Sequence, residues 1–303
     1  MSRINQNIVI NSRKVEVVQK GSHGIPIVLL TGMGCSFDEW HEVTEELSKT
    51  NKVIMFHRPG LGMSEIGEES RTTRAVADEL MQLLLQLTIH EPIILVGHSY
   101  GGLCAQHFIK LFPNHIRGGV FVDSTSVDFS ILDTLHLPIL DEDSSDEAWI
   151  EKCSLYSSMN REELCKVISP SLTEKQKQFP LAIQERLLEF QVNPTLYKAM
   201  RSELENWKTD AEIVKSIGEF PDVPLIVVGR DKEYCIKHGV EEGIPEWEMR
   251  VFEEKWRELI TDQANLSTKS KLIFAERSGH LIYLDRPDVV LQCITGLCVR
   301  ELE

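Results

Sequence analysis

The chain has 303 residues, of which 42% are hydrophobic, so it can form one large α/β domain with an insertion or two smaller domains. Its formal net charge of -15 argues against nucleic acid or an anionic membrane as a partner, because both need a basic surface. No apolar segment approaches the roughly 18 residues of a membrane span, and Met1 to Asn7 lack the core of a signal peptide, so we expect a cytoplasmic protein.

Short apolar runs predict the strands of a buried sheet. Residues 7–10 and 15–18 predict an opening hairpin, and the continuous apolar run at residues 25–30 predicts a central strand. Comparable runs occur at residues 53–56, 93–96, 119–122, 224–228 and 272–274. Helical patterns lie between most of them, for example over residues 74–87, and this alternation predicts parallel pairing in an α/β sheet.

The pattern changes in the middle of the chain. From residue 126 to residue 215 strand-like runs disappear, and helical segments separated by Pro170, Pro180 and Pro194 replace them. We therefore predict a helical cap over residues 126–215, inserted between core segments 1–125 and 216–303. The acidic start of this segment, residues 141–147, is typical of a solvated loop or face.

The sequence Gly97-His98-Ser99-Tyr100-Gly101 follows an apolar strand and leads into a helix. Glycines two residues before and after a serine allow a sharp strand-to-helix turn that exposes the hydroxyl. The helix N-terminus also favours negative charge on a bound oxygen. This segment predicts a nucleophile elbow with Ser99 as the nucleophile.

A serine nucleophile needs a base, and the base needs an acid that orients it. His280 lies in a loop between the last strand and the last helix and is the expected base. Asp231 follows the strand at residues 224–228 and is the expected acid, because the order serine, aspartate, histidine is the order used with this elbow. Asp123, after the strand at residues 119–122, is the rival, although we expect it to brace its own turn.

The oxyanion of the tetrahedral intermediate requires two N–H donors. The backbone of Tyr100 is expected to supply one, and the backbone of Met33 the other. Gly32 precedes Met33 in a glycine-rich loop that lets the backbone approach the substrate.

Together these motifs resemble those of serine-dependent members of the α/β-hydrolase superfamily. The resemblance implies an eight-stranded, mostly parallel sheet flanked by helices, with an inserted helical cap. It extends to a glycine-rich turn over residues 58–64. Two positions depart from the superfamily pattern: His57, where relatives often carry aspartate, and Thr31, where many carry histidine. Haloalkane dehalogenases and epoxide hydrolases of the superfamily carry aspartate at the elbow, so Ser99 favours acyl chemistry.

The leading expectation is a hydrolase that cleaves a carboxylic ester of a small neutral molecule through an acyl-enzyme, without cofactor or metal. The alternatives are an amide, lactone or carbon–carbon hydrolase, a cofactor-free peroxidase, and a non-catalytic receptor with the same fold. The oligomeric state stays open. Candidate pocket residues are aromatic or apolar side chains of the cap, each of which could instead pack in the cap core: Trp149, Tyr156, Leu187, Phe190 and Tyr197.

Overall fold

The computed structural model of the protein describes residues 3–299; the side chains of Arg3, Ile4, Asp143 and Ser144 are not part of this description. The first two residues of the segment considered for a signal peptide, and two side chains of the acidic run 141–147, therefore lie outside the described residues. None of the helices within residues 3–299 is long and apolar enough to cross a bilayer.

Eight strands form one sheet, which confirms the predicted fold class. The spatial order is β1-β2-β4-β3-β5-β6-β7-β8. The pairs β1–β2 and β2–β4 are antiparallel, and all other neighbours are parallel. The strands are β1 (Arg3–Ile10), β2 (Arg13–Lys20), β3 (Pro26–Leu30), β4 (Lys52–Phe56), β5 (Ile93–His98), β6 (Ile116–Val122), β7 (Leu225–Gly229) and β8 (Ser270–Phe274).

Helices cover both faces of the sheet, and β3, β5 and β7 are buried along their whole length, as their continuous apolar sequences predict. The helices before β7 are α1 (His41–Leu47), α2 (Thr73–Gln86), α3 (Tyr100–Leu111), α4 (Pro138–Ser144), α5 (Asp146–Ser158), α6 (Arg161–Ile168), α7 (Leu181–Gln191) and α8 (Pro194–Ser216). Those after β7 are α9 (Lys232–Glu241), α10 (Glu246–Gln263), α11 (Ile282–Asp285) and α12 (Pro287–Val299).

The segment between β6 and β7 is helical, with α4 to α8 as its main elements. Its apolar residues do not form a separate core. Ile183 and Leu187 of α7 pack with core residues on one side of the sheet, and Leu61 of the core packs with residues of α5, α6 and α8. The cap boundaries at residues 126 and 215 stay a prediction, and α8 continues one residue beyond the second of them.

Candidate active site

Ser99 lies in the turn between β5 and α3. Its backbone has φ 52° and ψ -126°, a conformation that is strained for a residue with a Cβ. The flanking glycines are required by close backbone contacts. A Cβ on Gly97 would lie 2.6 Å from the Gly101 carbonyl oxygen, and a Cβ on Gly101 would lie 2.2 Å from the Leu30 carbonyl oxygen. These distances explain why the elbow needs both glycines.

The end of β6 is hydrogen-bonded to the same turn. The N–H of Ser99 donates to the carbonyl of Val122 at 3.3 Å, and the N–H of Thr125 donates to the carbonyl of Ser99 at 3.1 Å. Asp123 lies between Val122 and Thr125 in the chain and has a positive φ of 42° and a fully buried side chain. The backbone of β6 therefore carries the Asp123 carboxylate to the neighbourhood of Ser99.

His280 is bound to Asp123. Its Nδ1 lies 2.6 Å from Asp123 Oδ2. The same carboxylate accepts from the backbone N–H and Nη1 of Arg230, at 3.2 and 3.1 Å, and from Nε1 of Trp256 at 3.0 Å. Burial acts to raise the pKa of Asp123, but the charge of Arg230 and the hydrogen bond from His280 outweigh it and lower the pKa well below its usual range. The carboxylate is therefore ionised at neutral pH.

This geometry corrects the sequence-based pairing of Asp231 with His280. Asp231 is the N-cap of α9, where Oδ1 accepts from the N–H groups of Glu233 and Tyr234 at 3.0 and 3.3 Å. Its Oδ2 accepts from the N–H of Arg277 at 2.9 Å. A capping carboxylate is held by the backbone of its own helix. The structure brings Asp123, the rival candidate, to His280 instead.

His98 supports the base from the other side. Its ring is fully buried and lies 4.7 Å from the His280 ring, and its Nε2 lies 3.0 Å from the His280 carbonyl oxygen. Because a carbonyl only accepts hydrogen bonds, Nε2 must carry the proton. Burial, together with the charge of His280, lowers the pKa of His98 to about 3, so the ring is neutral at physiological pH. His98, the residue before Ser99, thus links the elbow to the loop of His280.

Two backbone segments flank Ser99 where an oxyanion would form. Tyr100 is the first residue of α3, and N–H groups in the first turn of a helix have no partner within it. Gly32 lies against the elbow, since a Cβ there would be 3.1 Å from Ser99 Cβ and 2.9 Å from His98 Nδ1. The predicted donors Tyr100 and Met33 therefore belong to segments next to Ser99.

A cavity of about 630 Å³ opens at Ser99. This volume is within the range of small-molecule sites. Apolar and aromatic side chains form much of its wall: Phe129, Leu132, Leu137, Leu140, Trp207, Phe252 and Trp256. Sequence reasoning named none of these seven residues as pocket residues, although Phe252 and Trp256 are spaced by four residues and so share a face of α10.

The cap residues predicted to line the pocket lie elsewhere. The rings of Tyr156 and Tyr197 contact edge to face at 5.1 Å, and the hydroxyl of Tyr197 donates to the Gln191 carbonyl at 2.7 Å. Trp149 is partly exposed and carries Lys152 over its ring. None of these three aromatic residues is among the described residues that line the Ser99 cavity. Tyr156 and Tyr197 meet because α5 and α8 pack against each other.

Four carboxylates also line the cavity. Asp133 and Asp146 each lie 2.7 Å from Lys208 Nζ, and Asp146 also accepts from Nε1 of Trp207 at 2.9 Å. Asp141 and Glu147 add two further negative charges to the lining. The cavity wall therefore combines an apolar, aromatic surface with a net negative charge. Lys208 is the single cation among its described lining residues, against four carboxylates.

The departure at His57 has a structural account. His57 Nδ1 lies 2.7 Å from Glu16 Oε2, and its Nε2 accepts from the N–H of Phe37 at 3.2 Å. Burial lowers the pKa of His57. Burial acts to raise the pKa of Glu16, but the interactions with His57, the Met63 N–H and Arg186 together outweigh it and lower that pKa to about 2. Glu16 of β2 thus supplies a carboxylate beside the turn. In the part of the chain that the structure describes, no three His, Cys, Asp or Glu side chains are arranged to hold a metal ion.

Comparison with known proteins agrees with this architecture. A family profile described as alpha/beta hydrolase fold matches residues 25–150. The chain has the alpha/beta hydrolase fold. It is similar to Methylesterase 3 of Arabidopsis thaliana, with 28% identity over 120 residues, which is 37% of this chain and 44% of that protein. The matched regions span 36 to 44% of the length of four of its curated relatives.

Solved structures resemble the whole chain. A thermophilic esterase from Thermogutta terrifontis has a TM-score of 0.65 at 18% identity, covering 98% of this chain and 97% of that one. An epoxide hydrolase, CorEH, has the same TM-score and identity and covers 98% of both chains. At this level of identity the likeness establishes the fold.

Proposed function

We propose that this protein is a serine hydrolase of the α/β-hydrolase superfamily and that it cleaves carboxylic esters through an acyl-enzyme. The observation that carries the proposal is the connected unit of Ser99 on a strained elbow, Asp123 joined to that elbow by β6, and His280 bound to Asp123 at 2.6 Å. A hydroxyl, an imidazole and a buried carboxylate are the groups that acyl transfer from a serine requires.

In this mechanism Ser99 Oγ attacks the ester carbonyl while Nε2 of His280 takes the hydroxyl proton. Asp123 accepts from Nδ1 of His280, which keeps Nε2 free to act as the base and stabilises the imidazolium. The N–H groups of Met33 and Tyr100 hold the oxyanion. His280 then protonates the leaving alcohol, and water, deprotonated by His280, releases the acid and restores Ser99.

The lining of the cavity supports a neutral substrate with an apolar portion. Phe129, Trp207 and Trp256 offer aromatic surface for a small to medium acyl or alkyl group. Asp141 and Glu147 disfavour an anionic substrate. Ser99 separates this chain from the epoxide hydrolases of the superfamily, whose elbow nucleophile is an aspartate. The similarity to Methylesterase 3 over 120 residues also favours an esterase.

The test is hydrolysis of p-nitrophenyl esters, from acetate to palmitate, by the wild type and by Ser99→Ala. Ser157→Ala is the matched control, because Ser157 lies on α5, outside the cavity lining, and its hydroxyl bonds only locally to the Ser154 carbonyl. We expect Ser99→Ala to lower kcat by at least about 10⁴-fold and the control to retain wild-type activity.

Labelling by a fluorophosphonate completes the test. A wild type that reacts at Ser99 and prefers one chain length supports an esterase. Wild-type rates in folded Ser99→Ala would refute the assignment of the nucleophile. A folded wild type that neither hydrolyses these esters nor reacts with the fluorophosphonate would refute the proposed function and favour a non-catalytic receptor.

A further inference from the structure

Arg58 contacts the segment that carries the proposed oxyanion donor Met33. Its side chain is almost fully buried in the turn after β4. Nη1 donates to the Thr31 carbonyl at 2.7 Å, and Nη2 donates to the Gly32 carbonyl at 3.1 Å. These carbonyls lie directly before Met33, so Arg58 fixes the backbone that leads into the proposed oxyanion site.

The contact with Gly32 also orients the next N–H group. In a trans peptide the carbonyl and the following N–H point in opposite directions, and the Gly32–Met33 peptide is trans. Holding the Gly32 carbonyl toward Arg58 therefore directs the Met33 N–H away from Arg58. The N–H of Cys35 also donates to the Gly32 carbonyl, at 3.3 Å. This second hydrogen bond helps to fix the plane of the Gly32–Met33 peptide.

Arg58 touches the other donor residue as well. Its guanidinium carbon lies 5.2 Å from the centroid of the Tyr100 ring, within the range of a cation–π interaction. Tyr100 is fully buried and begins α3. A single cation thus contacts Tyr100 and also the carbonyl of the peptide group whose N–H belongs to Met33.

Glu203 fixes Arg58 in turn. Its two carboxylate oxygens accept from Nε and Nη2 of Arg58 at 2.7 and 3.2 Å, and its side chain is fully buried on α8. Removing one partner of such a pair leaves a buried charge without compensation. Although burial opposes ionisation, Glu203 raises the pKa of Arg58, which stays charged. The orientation of Arg58 therefore depends on the position of α8.

We propose that Arg58 and Glu203 are positioning residues that set the geometry of the oxyanion site, so that full activity requires α8 to be docked on the core. The proposal rests on the proposed acyl transfer at Ser99. A lysine at position 58 keeps the charge, but its single ammonium cannot reproduce the bidentate contact with Glu203 together with both carbonyl contacts. Misorientation of Met33 then weakens binding of the transition state more than binding of the substrate.

The test compares Arg58→Lys and Glu203→Gln with Arg71→Lys. Arg71 is the matched control, because it also forms a buried bidentate pair, with Glu79 at 2.7 Å for both contacts, and these hydrogen bonds do not involve the Gly32 and Met33 backbone. For each variant we would measure kcat and KM with a p-nitrophenyl ester, and the Ki of a phenylboronic acid, which forms a tetrahedral adduct with the serine. Active-site titration with a fluorophosphonate would normalise the rates to functional protein.

We expect Arg58→Lys to lower kcat by about 10- to 100-fold with little change in KM, below the loss of a whole oxyanion donor. The boronate Ki should rise by about the same factor as kcat/KM falls, and Arg71→Lys should change both by less than about threefold. If Arg58→Lys does not fold, Glu203→Gln, which keeps the shape of the side chain, carries the test.

Two results would overturn the proposal. In the first, the wild type is active and Arg58→Lys and Glu203→Gln have the same kcat as Arg71→Lys. This result would leave the serine hydrolase assignment intact. The second is a loss of activity that appears entirely in KM with the boronate Ki unchanged. A folded wild type that binds neither boronate nor fluorophosphonate would overturn the proposed function and this inference together.

Discussion

Replacement of Asp123 by asparagine tests the central contact of the proposed site. The Oδ2 atom of Asp123 accepts hydrogen bonds from Nδ1 of His280 at 2.6 Å and from Nη1 of Arg230 at 3.1 Å. The Oδ1 atom receives two N–H groups, from the Arg230 backbone and the Trp256 indole, at 3.2 and 3.0 Å. An asparagine has one oxygen and one NH₂ group, so one of these positions must become a donor.

The fixed donors decide which way the asparagine turns. Both donors to Oδ1 are fixed, whereas at Oδ2 only Arg230 Nη1 is fixed, because the imidazole of His280 can move its proton to Nε2. The amide oxygen therefore stays with the two fixed donors. The amide NH₂ of Asp123→Asn therefore faces His280, which adopts the tautomer that cannot take the proton of Ser99. A wrong tautomer costs about 10⁴-fold in kcat, or about 5 kcal/mol of transition-state stabilisation.

The control for this variant is Asp231→Asn. Asparagine caps helices as well as aspartate does, so α9 should be preserved and kcat should stay within about threefold of the wild type. Rates would be measured with the ester that the wild type prefers, and folding by thermal unfolding. Arg230 keeps Glu253 as a partner at 2.9 and 2.6 Å, which limits the loss of stability in Asp123→Asn to about 1 to 3 kcal/mol.

Near wild-type kcat in folded Asp123→Asn would refute the reasoning. A larger loss in Asp231→Asn than in Asp123→Asn would return the role of the acid to Asp231. An equal loss in both would indicate that each variant acts through general damage to the loop of His280.

Two further predictions concern pH and substrate charge. The pKa of His98 is about 3 in the folded protein against 6.5 unfolded, so the unfolded state binds the extra proton and stability falls as pH drops from 6.5 toward 3. At pH 4.5 the loss in the free energy of unfolding amounts to at most about 2 to 3 kcal/mol. Denaturant unfolding at pH 7.5 and 4.5 should show a smaller loss of stability at the lower pH in His98→Gln than in the wild type. An equal loss in both proteins would contradict this cause. The carboxylates of Asp141 and Glu147 should make p-nitrophenyl butyrate a better substrate by kcat/KM than its anionic hemisuccinate analogue, with the difference reduced at high salt. A cationic ester cleaved faster than its neutral isostere would overturn the preference for neutral substrates.

Local sequence determined the elbow and the sheet. The glycines that allow the turn lie within two residues of Ser99, so the pattern is visible in the sequence. A Cβ on Gly97 would collide with the nearby Gly101 carbonyl, and a Cβ on Gly101 would collide with the Leu30 carbonyl of the neighbouring strand β3. The buried strands are continuous apolar runs, which predict their existence without any knowledge of their partners. The structure therefore confirms the fold class, with strand ends that differ by a few residues from those expected.

The choice between Asp123 and Asp231 needed the tertiary structure. Both residues follow a strand that ends near His280, so their sequence positions are nearly equivalent. Asp231 has a local partner in the first turn of α9, a capping pattern that the sequence contains. Asp123 has no such partner, and its position beside His280 depends on the pairing of β6 with β5 and on the path of the last loop.

The sequence by itself determined the fold class, the elbow and the candidates Ser99 and His280, since each depends on apolar periodicity or on neighbours in the chain. Only the tertiary structure decided which carboxylate meets His280, which aromatic residues line the cavity, and that Arg58 meets Glu203 across 145 residues. Such contacts depend on how α8 and α10 pack over the sheet. Packing of distant helices follows from shape and burial in three dimensions, which local sequence patterns do not encode.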